Sequence, residues 1–156
     1  MRHSYFGSRF SDNEIEQFLK SQNIEYKKYN DEELNDKVTD CLINAGVVGW
    51  FQGRAEFGPR ALGHRSIIAD PTRDDAKDIL NLKIKRREAF RPFAPSILKE
   101  FVPKYFEQVD DVPFMEKVFQ IKQDKRELLS AVTHVDGSGR LQTVDKNVET
   151  KYYGLI

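Results

Sequence analysis

The sequence predicts an α/β fold of the α+β kind, in which helices flank a mixed, twisted sheet. Apolar residues recur at helical spacing in some stretches, and short β-rich runs alternate with these stretches along the chain. The length of 156 residues suits one ordinary domain and is enough to bury a real core. We therefore expect residues 1–156 to form a single domain.

The first predicted helix begins with a capping box. Ser11 and Glu14 have the spacing at which each side chain accepts a hydrogen bond from the other residue's backbone N–H. The apolar residues that follow share one helical face: Ile15, Phe18 and Leu19. This face is expected to pack inward.

A second helix is predicted from Asp31 to about Asn44, with Gly46 as its C-terminal stop. Its apolar stripe includes Cys41, the only cysteine of the chain. Cysteine on such a stripe usually behaves as a small buried hydrophobe, so we expect a core role for Cys41.

The remaining predicted elements are short. β-rich apolar runs predict strands at residues 47–51, 66–69, 93–98, 118–121, 131–135 and 141–144. Gly137–Gly139 is expected to turn the chain between the last two strands. Thr72 is expected to cap a helix over residues 73–82. Residues 101–106 predict a short helix or turn, limited by Pro103.

Bulk composition argues against several function classes. The 25 basic and 25 acidic residues cancel, which argues against a dedicated nucleic-acid binder with a broad positive field. One cysteine permits no internal disulfide and no cysteine-based zinc site, and we predict no metal site. Apolar runs fall short of the roughly 20 residues of a membrane span. Met1–Gly7 lacks the apolar stretch of a signal peptide, so a cytoplasmic protein is expected.

Positive charge concentrates between Gly53 and Arg91, where ten basic residues outnumber six acidic ones. The first part, Gly53–Ser66, places three glycines and a proline among Arg54, Arg60 and Arg65. Glycines let backbone amides approach a ligand, and guanidinium groups hold phosphate or carboxylate oxygens in pairs. A phosphate cradle and a tight surface loop with solvated arginines are equally open from composition alone.

Lys85, Arg87 and Arg91 form a second basic element. Lys85 and Arg87 are two residues apart and project from the same face of an extended segment. Arg91 lies among aromatic residues and prolines, which restrict its backbone. The alternative is an exposed, charged turn whose arginines stack on Phe90 or Phe93.

A third element, Thr133–Thr143, places His134, Asp136 and Arg140 at the mouth of the predicted last hairpin. A His-x-Asp pair is more often structural than metal-binding, and the spacing fits no metal set.

These three elements, in this order, resemble the C-terminal region of the family of nodulation-factor and antibiotic O-carbamoyltransferases. The match is strongest at residues 49–71, GWFQGRAEFGPRALGHRSIIADP, and continues through residues 80–95 and 131–143. The resemblance covers nearly the whole chain from about Gly7. It implies a YrdC-like domain, while the family's N-terminal actin-like domain, with its metal, is not matched.

The resemblance also implies an activity. The YrdC-like domain binds ATP, with Mg²⁺ accompanying the nucleotide, and carbamoyl phosphate, and it forms a carbamoyl-adenylate. The actin-like domain, in cis or in trans, then transfers the carbamoyl group to a hydroxyl acceptor. The expected binding residues are Arg54, Arg60, Arg65, Ser66, Lys85, Arg87, Arg91 and Arg140. Arg60, Lys85 and Arg91 are expected to be catalytic, because fixed cations stabilise charge on transferring phosphoryl groups.

One departure and two alternatives accompany this interpretation. Family members continue into an Asn-Thr-Ser-Phe-Asn-like segment beyond the position of Ile156, so we expect a truncated domain that binds nucleotide weakly and turns over no acceptor. One alternative is a non-catalytic, RNA-binding YrdC-like module. The other is a domain that docks on a partner through an aromatic cluster, although core packing is the better explanation of that cluster: Phe101, Tyr105, Phe106, Phe114 and Phe119.

Overall fold

The computed structural model describes residues 1–156, and it confirms the α+β class. In chain order the helices and strands are α1 (Asp12–Ser21), α2 (Asp31–Ile43), β1 (Val48–Phe51), β2 (Arg65–Ile68), α3 (Ala76–Asp78), β3 (Ser96–Leu98), α4 (Val102–Tyr105), β4 (Phe119–Gln120), β5 (Ser138–Gly139), β6 (Gln142–Val144) and α5 (Thr150–Leu155). A π-helical turn, Ile79–Ile84, follows α3 directly. None of these helices combines the length and the apolar character that crossing a membrane requires.

The strands form three separate pairs, where one mixed sheet was expected. β1 and β2 are antiparallel, with Trp50 opposite Ser66. β4 and β5 are also antiparallel, and β3 pairs in parallel with β6, with Ile97 opposite Thr143. Strands of only two to four residues offer too few backbone groups for a continuous ladder. Loops between them therefore satisfy many of their own hydrogen bonds.

Two apolar cores lie on either side of the β3–β6 pair. Side chains alternate along β3, so Ile97 packs against the first core and Leu98 against the second. The first core is built from Val102, Phe106, Val112, Phe119, Ile121, Leu129, Val132 and Leu141. The second is built from Val38, Trp50, Val144 and Tyr152. Phe106 and Phe119 meet edge to face in the first core, so much of the aromatic cluster packs inside the domain.

The two N-terminal helices begin as predicted but bury less than predicted. The Ser11–Glu14 capping box is present, and Asn30 with Glu33 forms a second one. However, α1 buries no residue, and Phe18 is 61% exposed. The prediction that Cys41 is buried is wrong, because only Val38 of α2 is fully covered by its neighbours.

The end of α2 explains Gly46. The N–H of Gly46 donates to the Cys41 carbonyl oxygen, and the N–H of Ala45 donates to that of Leu42. This is a Schellman turn, in which Ala45 adopts the left-handed conformation with φ 67°. A Cβ on Gly46 would overlap Cys41, so the stop at Gly46 is confirmed through close packing rather than through a positive φ.

Three local predictions between residues 72 and 135 differ from the structure. The helix over residues 73–82 is reduced to α3 and the π-helical turn. The Thr72 hydroxyl does not cap it, because it donates to the Asp70 carboxylate instead. Residues 131–135 form no strand, and Ser130–Val132 is a 3₁₀ turn. The Thr133 hydroxyl bonds back to the Leu129 carbonyl oxygen, which favours this turn over an extended chain.

Candidate functional site

A cavity of about 630 Å³ lies between the two cores. Phe93 and Val132 contribute to its wall from the first core, and Ile68 and Tyr152 from the second. A volume of this size suits a nucleotide-sized ligand. The cavity is therefore the natural candidate site of the domain.

Basic side chains dominate the charge of the cavity. The lining contains five cations and one carboxylate: Arg60, Lys77, Lys85, Arg87, Arg140 and Asp70. None of the five cations forms an ion pair within the chain. A concave surface with this excess of unpaired positive charge attracts a polyanion.

Arg140 differs from the other cavity cations in having a buried donor without a partner. Its Nε–H is buried and has no hydrogen-bond partner. Burial lowers the pKa of Arg140, and the nearby charges of Arg60 and Arg87 lower it further. Since a guanidinium stays protonated in proteins, a bound anion would satisfy both the donor and the charge.

Arg87 and Lys85 lie beside the ring of Phe93. The Arg87 guanidinium carbon lies 4.8 Å from the ring centroid, and the Lys85 Nζ lies 5.8 Å from it. Partial burial lowers the pKa of Lys85, and the charge of Arg87 lowers it further. Contact with Phe93 was the alternative to a binding role. Because Arg87 and Lys85 both contact Phe93 and line the cavity, the two interpretations do not exclude each other.

Glu56 holds the loop that carries Arg60. One of its carboxylate oxygens accepts the backbone N–H groups of Leu62 at 2.7 Å, His64 at 2.9 Å and Arg65 at 3.2 Å. Burial raises the pKa of Glu56, but these backbone hydrogen bonds outweigh burial and the pKa is lowered. Sequence reasoning assigned no role to Glu56, and its only signal was a carboxylate within a loop of arginines and glycines.

Gly63 brings this loop against α5. Its φ is +96°, and an added Cβ would overlap the ring of Tyr152. The Gly63 N–H donates to the Ser66 hydroxyl at 2.9 Å, so Ser66 helps to shape the cavity wall. A glycine is required here both by conformation and by close packing.

A buried chain of hydrogen bonds joins the loop to the β3–β6 pair. The Tyr152 hydroxyl donates to Ser96 Oγ at 2.8 Å, and Ser96 Oγ donates to Gln142 Oε1 at 3.1 Å. Gln142 Nε2 then donates to the Leu62 carbonyl oxygen at 2.9 Å. This satisfied network fixes the cavity wall, since each group would lose a partner if its neighbour moved.

Three predicted site residues lie outside the cavity lining. Arg65 donates to the backbone carbonyls of Ser8, Gln52, Gly53 and His64, and stacks 3.5 Å above the ring of Phe51. Arg54 donates to the Gly7 carbonyl oxygen at 3.1 Å, and exposed Arg91 pairs with Glu88 at 2.8 Å. The structure thus brings together Arg60, Ser66, Lys85, Arg87 and Arg140, but not these three.

The third sequence element, Thr133–Thr143, also has residues both on and off the cavity lining. Arg140 lines the cavity, while His134 and Asp136 do not. Ser138 lies between the latter two, with its hydroxyl 3.0 Å from His134 Nδ1 and donating to Asp136 at 2.6 Å. No group of three or more His, Cys, Asp or Glu residues is arranged to hold a metal ion.

His64 forms a second buried polar cluster, at the base of the Arg60 loop. Its Nε2 contacts the Glu149 carboxylate, its Nδ1 contacts the Arg54 carbonyl oxygen, and its ring stacks on Tyr5 at 3.7 Å. Burial lowers the pKa of His64, but the hydrogen bonds and the charges of Glu149 and Glu56 outweigh it and raise the pKa. The cluster therefore ties the loop to both the N-terminal segment and the start of α5.

Comparisons with known proteins identify the family to which this chain is similar. The carbamoyltransferase C-terminus family model matches residues 39–156, which include every cation of the cavity. Nodulation protein NolNO of Sinorhizobium fredii is 45% identical over 151 residues, covering 94% of this chain and 22% of that protein. The 3'-hydroxymethylcephem-O-carbamoyltransferase of Amycolatopsis lactamdurans is 43% identical over 122 residues, covering 78% of this chain and 23% of that protein.

A third relative, an uncharacterized protein of Synechocystis, is 44% identical over 178 residues and matches all of this chain but only 29% of its own length. The chain thus spans less than a third of each of these relatives. The matched residues begin within α2 and end after α5. They include the Arg60 loop, the second basic element and the lining of the cavity. From this match we conclude that the chain belongs to the carbamoyltransferase C-terminus family.

Proposed function

We propose that the cavity binds ATP and carbamoyl phosphate for an O-carbamoyltransferase and supports formation of a carbamoyl-adenylate. The observation that carries this proposal is the convergence of Arg60, Lys85, Arg87 and Arg140 on one cavity without any ion-pair partner. Two phosphorylated reactants repel each other in water. Fixed cations remove that repulsion and do not need to reorganise during the reaction.

In the proposed reaction, carbamoyl phosphate loses its phosphate to water, and an oxygen of the resulting carbamate attacks the α-phosphorus of ATP. The bond to pyrophosphate then breaks, and negative charge builds up on the leaving group. Arg87 and Arg140 are proposed to hold phosphate oxygens, while Arg60 and Lys85 stabilise the developing charge. Mg²⁺ would enter with the nucleotide.

The carbamoyl-adenylate is proposed to be used elsewhere in the enzyme. We propose that residues 1–156 form one YrdC-like domain, and that an actin-like domain, in cis or in trans, transfers the carbamoyl group to a hydroxyl acceptor. Support comes from the relatives, which are more than three times as long as this chain. The proposed setting is the cytoplasm, which suits ATP-dependent chemistry and an exposed free cysteine.

Calorimetric titration with carbamoyl phosphate and with MgATP tests the proposal. Arg140→Ala should weaken binding of both ligands at least about tenfold, since hydrogen bonds to charged groups are among the stronger ones. Lys83→Ala is the control, because Lys83 is an exposed cation that does not line the cavity. Equal affinities in wild type and Arg140→Ala would overturn the assignment of the cavity.

A second measurement tests the division of labour between domains. The purified 156-residue chain should release pyrophosphate slowly or not at all, and it should carbamoylate no hydroxyl acceptor. Radiolabelled carbamoyl phosphate would detect transfer. Carbamoylated acceptor formed by this chain alone would contradict the proposed separate transfer domain.

A further inference from the structure

Asn81 is a fully buried polar residue that packs behind the second basic element, the loop that carries Lys85, Arg87 and Arg91. It lies in the π-helical turn Ile79–Ile84, and its exposed fraction is 0%. π-Helical turns are rare and often occur at functional sites, because the wider turn changes the direction in which side chains point. Asn81 lies within residues 80–95 of the family resemblance, and its residue type alone indicates no role.

Every hydrogen-bonding group of the Asn81 side chain is used within the loop. Its Nδ2 donates to the Ala89 carbonyl oxygen at 3.2 Å and to the Arg91 carbonyl oxygen at 3.0 Å. Its Oδ1 accepts the Arg87 Nε–H at 2.7 Å. The Asn81 backbone oxygen also accepts the Arg87 N–H at 2.9 Å. One buried residue thus holds the backbone and one side chain of the loop together.

The consequence for Arg87 is that three of its features are fixed. Its backbone N–H and its Nε–H are bonded to Asn81, and its guanidinium lies 4.8 Å from the Phe93 ring centroid. The two terminal guanidinium nitrogens donate to no protein atom, and Arg87 lines the cavity. These two nitrogens form the planar pair of donors that matches two oxygens of a phosphate or carboxylate.

We infer that Asn81 is a positioning residue, which holds Arg87 as a two-donor fork for a phosphate group bound in the cavity. The inference rests on the proposed function, because it requires that the cavity binds phosphate. Holding the fork in advance raises affinity, since less side-chain freedom is lost when the anion binds.

The choice of asparagine over aspartate supports this role. An aspartate at position 81 would accept the same Arg87 Nε–H, but it would also neutralise the guanidinium and lack the donors for Ala89 and Arg91. A neutral amide oxygen orients Arg87 and leaves its charge available to the ligand. Asn81→Asp should therefore bind phosphate more weakly than wild type.

A double-mutant cycle tests whether Asn81 acts through Arg87. Asn81→Ala is introduced into wild type, Arg87→Ala and Arg140→Ala, and each protein is titrated calorimetrically with inorganic phosphate and with carbamoyl phosphate. We expect about a tenfold loss of affinity in wild type and in Arg140→Ala, but no further loss in Arg87→Ala. A general structural defect would instead lower affinity in all three backgrounds, and that result would overturn the inference.

The outcomes separate this inference from the proposed function. If wild type binds neither probe, the proposed function fails and the inference fails with it. If wild type binds and Asn81→Ala binds equally well, only the inference fails.

A measurement on the unaltered chain avoids the risk that Asn81→Ala does not fold. By NMR, the Arg87 Nε–H should exchange with water more slowly than the Nε–H of Arg60, which has no protein partner. Equal exchange rates for Arg87 and Arg60 would show that the Asn81 contact does not hold the fork, and would overturn the inference.

Discussion

Two sets of arginines in this chain differ in the partners that surround them. The frame arginines, Arg54 and Arg65, donate to backbone carbonyls and brace the Arg60 loop against the N-terminal segment. The cavity arginines, Arg60, Arg87 and Arg140, form no ion pair. The same residue type therefore serves stability in one place and is available to a ligand in the other. Substitutions in the two sets should therefore affect different properties of the chain.

Gly63→Ala should lower the stability of the folded chain more than any other substitution considered. The added methyl group would overlap the Tyr152 ring, at a φ that favours glycine. Overpacking and backbone strain together should lower the free energy of unfolding by about 3 kcal/mol or more. Urea unfolding measures the change, with Gly49→Ala as control, because a Cβ at Gly49 meets no atom within 4 Å. Similar stability of the two variants would contradict the packing described for Gly63.

Arg65→Ala should lower the stability of the folded chain, whereas Arg140→Ala should lower its affinity for phosphate. Arg65→Ala removes donors from several backbone carbonyls and should lower the free energy of unfolding by about 2 kcal/mol. Arg140→Ala removes a buried donor without a partner, so stability should be unchanged or higher while phosphate affinity falls. Urea unfolding and phosphate titration of both variants measure the two effects. Loss of stability in Arg140→Ala alone would reverse the division.

The His64–Glu149 contact should make the free energy of unfolding depend on pH. The pKa of His64 is raised in the folded chain, so its stabilisation is complete below the ordinary value of about 6.5. It should be lost as pH rises through the raised pKa. Urea unfolding between about pH 5.5 and 8.5, with His64→Gln for comparison, measures this. A difference between the two proteins that is constant with pH would exclude the charged contact.

Arg91→Ala should have the smallest effect. Sequence reasoning expected Arg91 to be catalytic, whereas the structure places it in an exposed pair with Glu88 and off the cavity lining. An exposed pair contributes little, so phosphate affinity should change by no more than about twofold. Calorimetric titration beside Arg140→Ala measures the difference. A loss as large as that of Arg140→Ala would favour the sequence-based expectation.

Local features of the fold could be predicted from the sequence. The Ser11–Glu14 capping box and the β1 and β2 strands depend on neighbouring residues, and the structure contains them. The exposure of Cys41 could not be predicted, because it depends on which distant elements cover α2. The failed strand at residues 131–135 reflects a competing local bond from Thr133, which its β-rich composition concealed.

The candidate site was predicted only in part. The three sequence elements together with the family resemblance singled out eight residues, and five of them line one cavity: Arg60, Ser66, Lys85, Arg87 and Arg140. The supporting contacts join residues far apart in sequence, such as Leu62 with Gln142 and His64 with Glu149. No spacing rule for one strand or helix reports such pairs, so the separation of frame from cavity arginines required the three-dimensional structure.

The parallel β3–β6 pair has a consequence for how the domain folds. It joins residues 96–98 to residues 142–144, and the cavity between its flanking cores takes wall residues from Thr39 to Ile156. Closing so long a stretch of chain costs entropy before the contacts form, which slows folding. Nascent or partly folded chains would therefore lack the complete cavity, and ligand binding should require the folded domain.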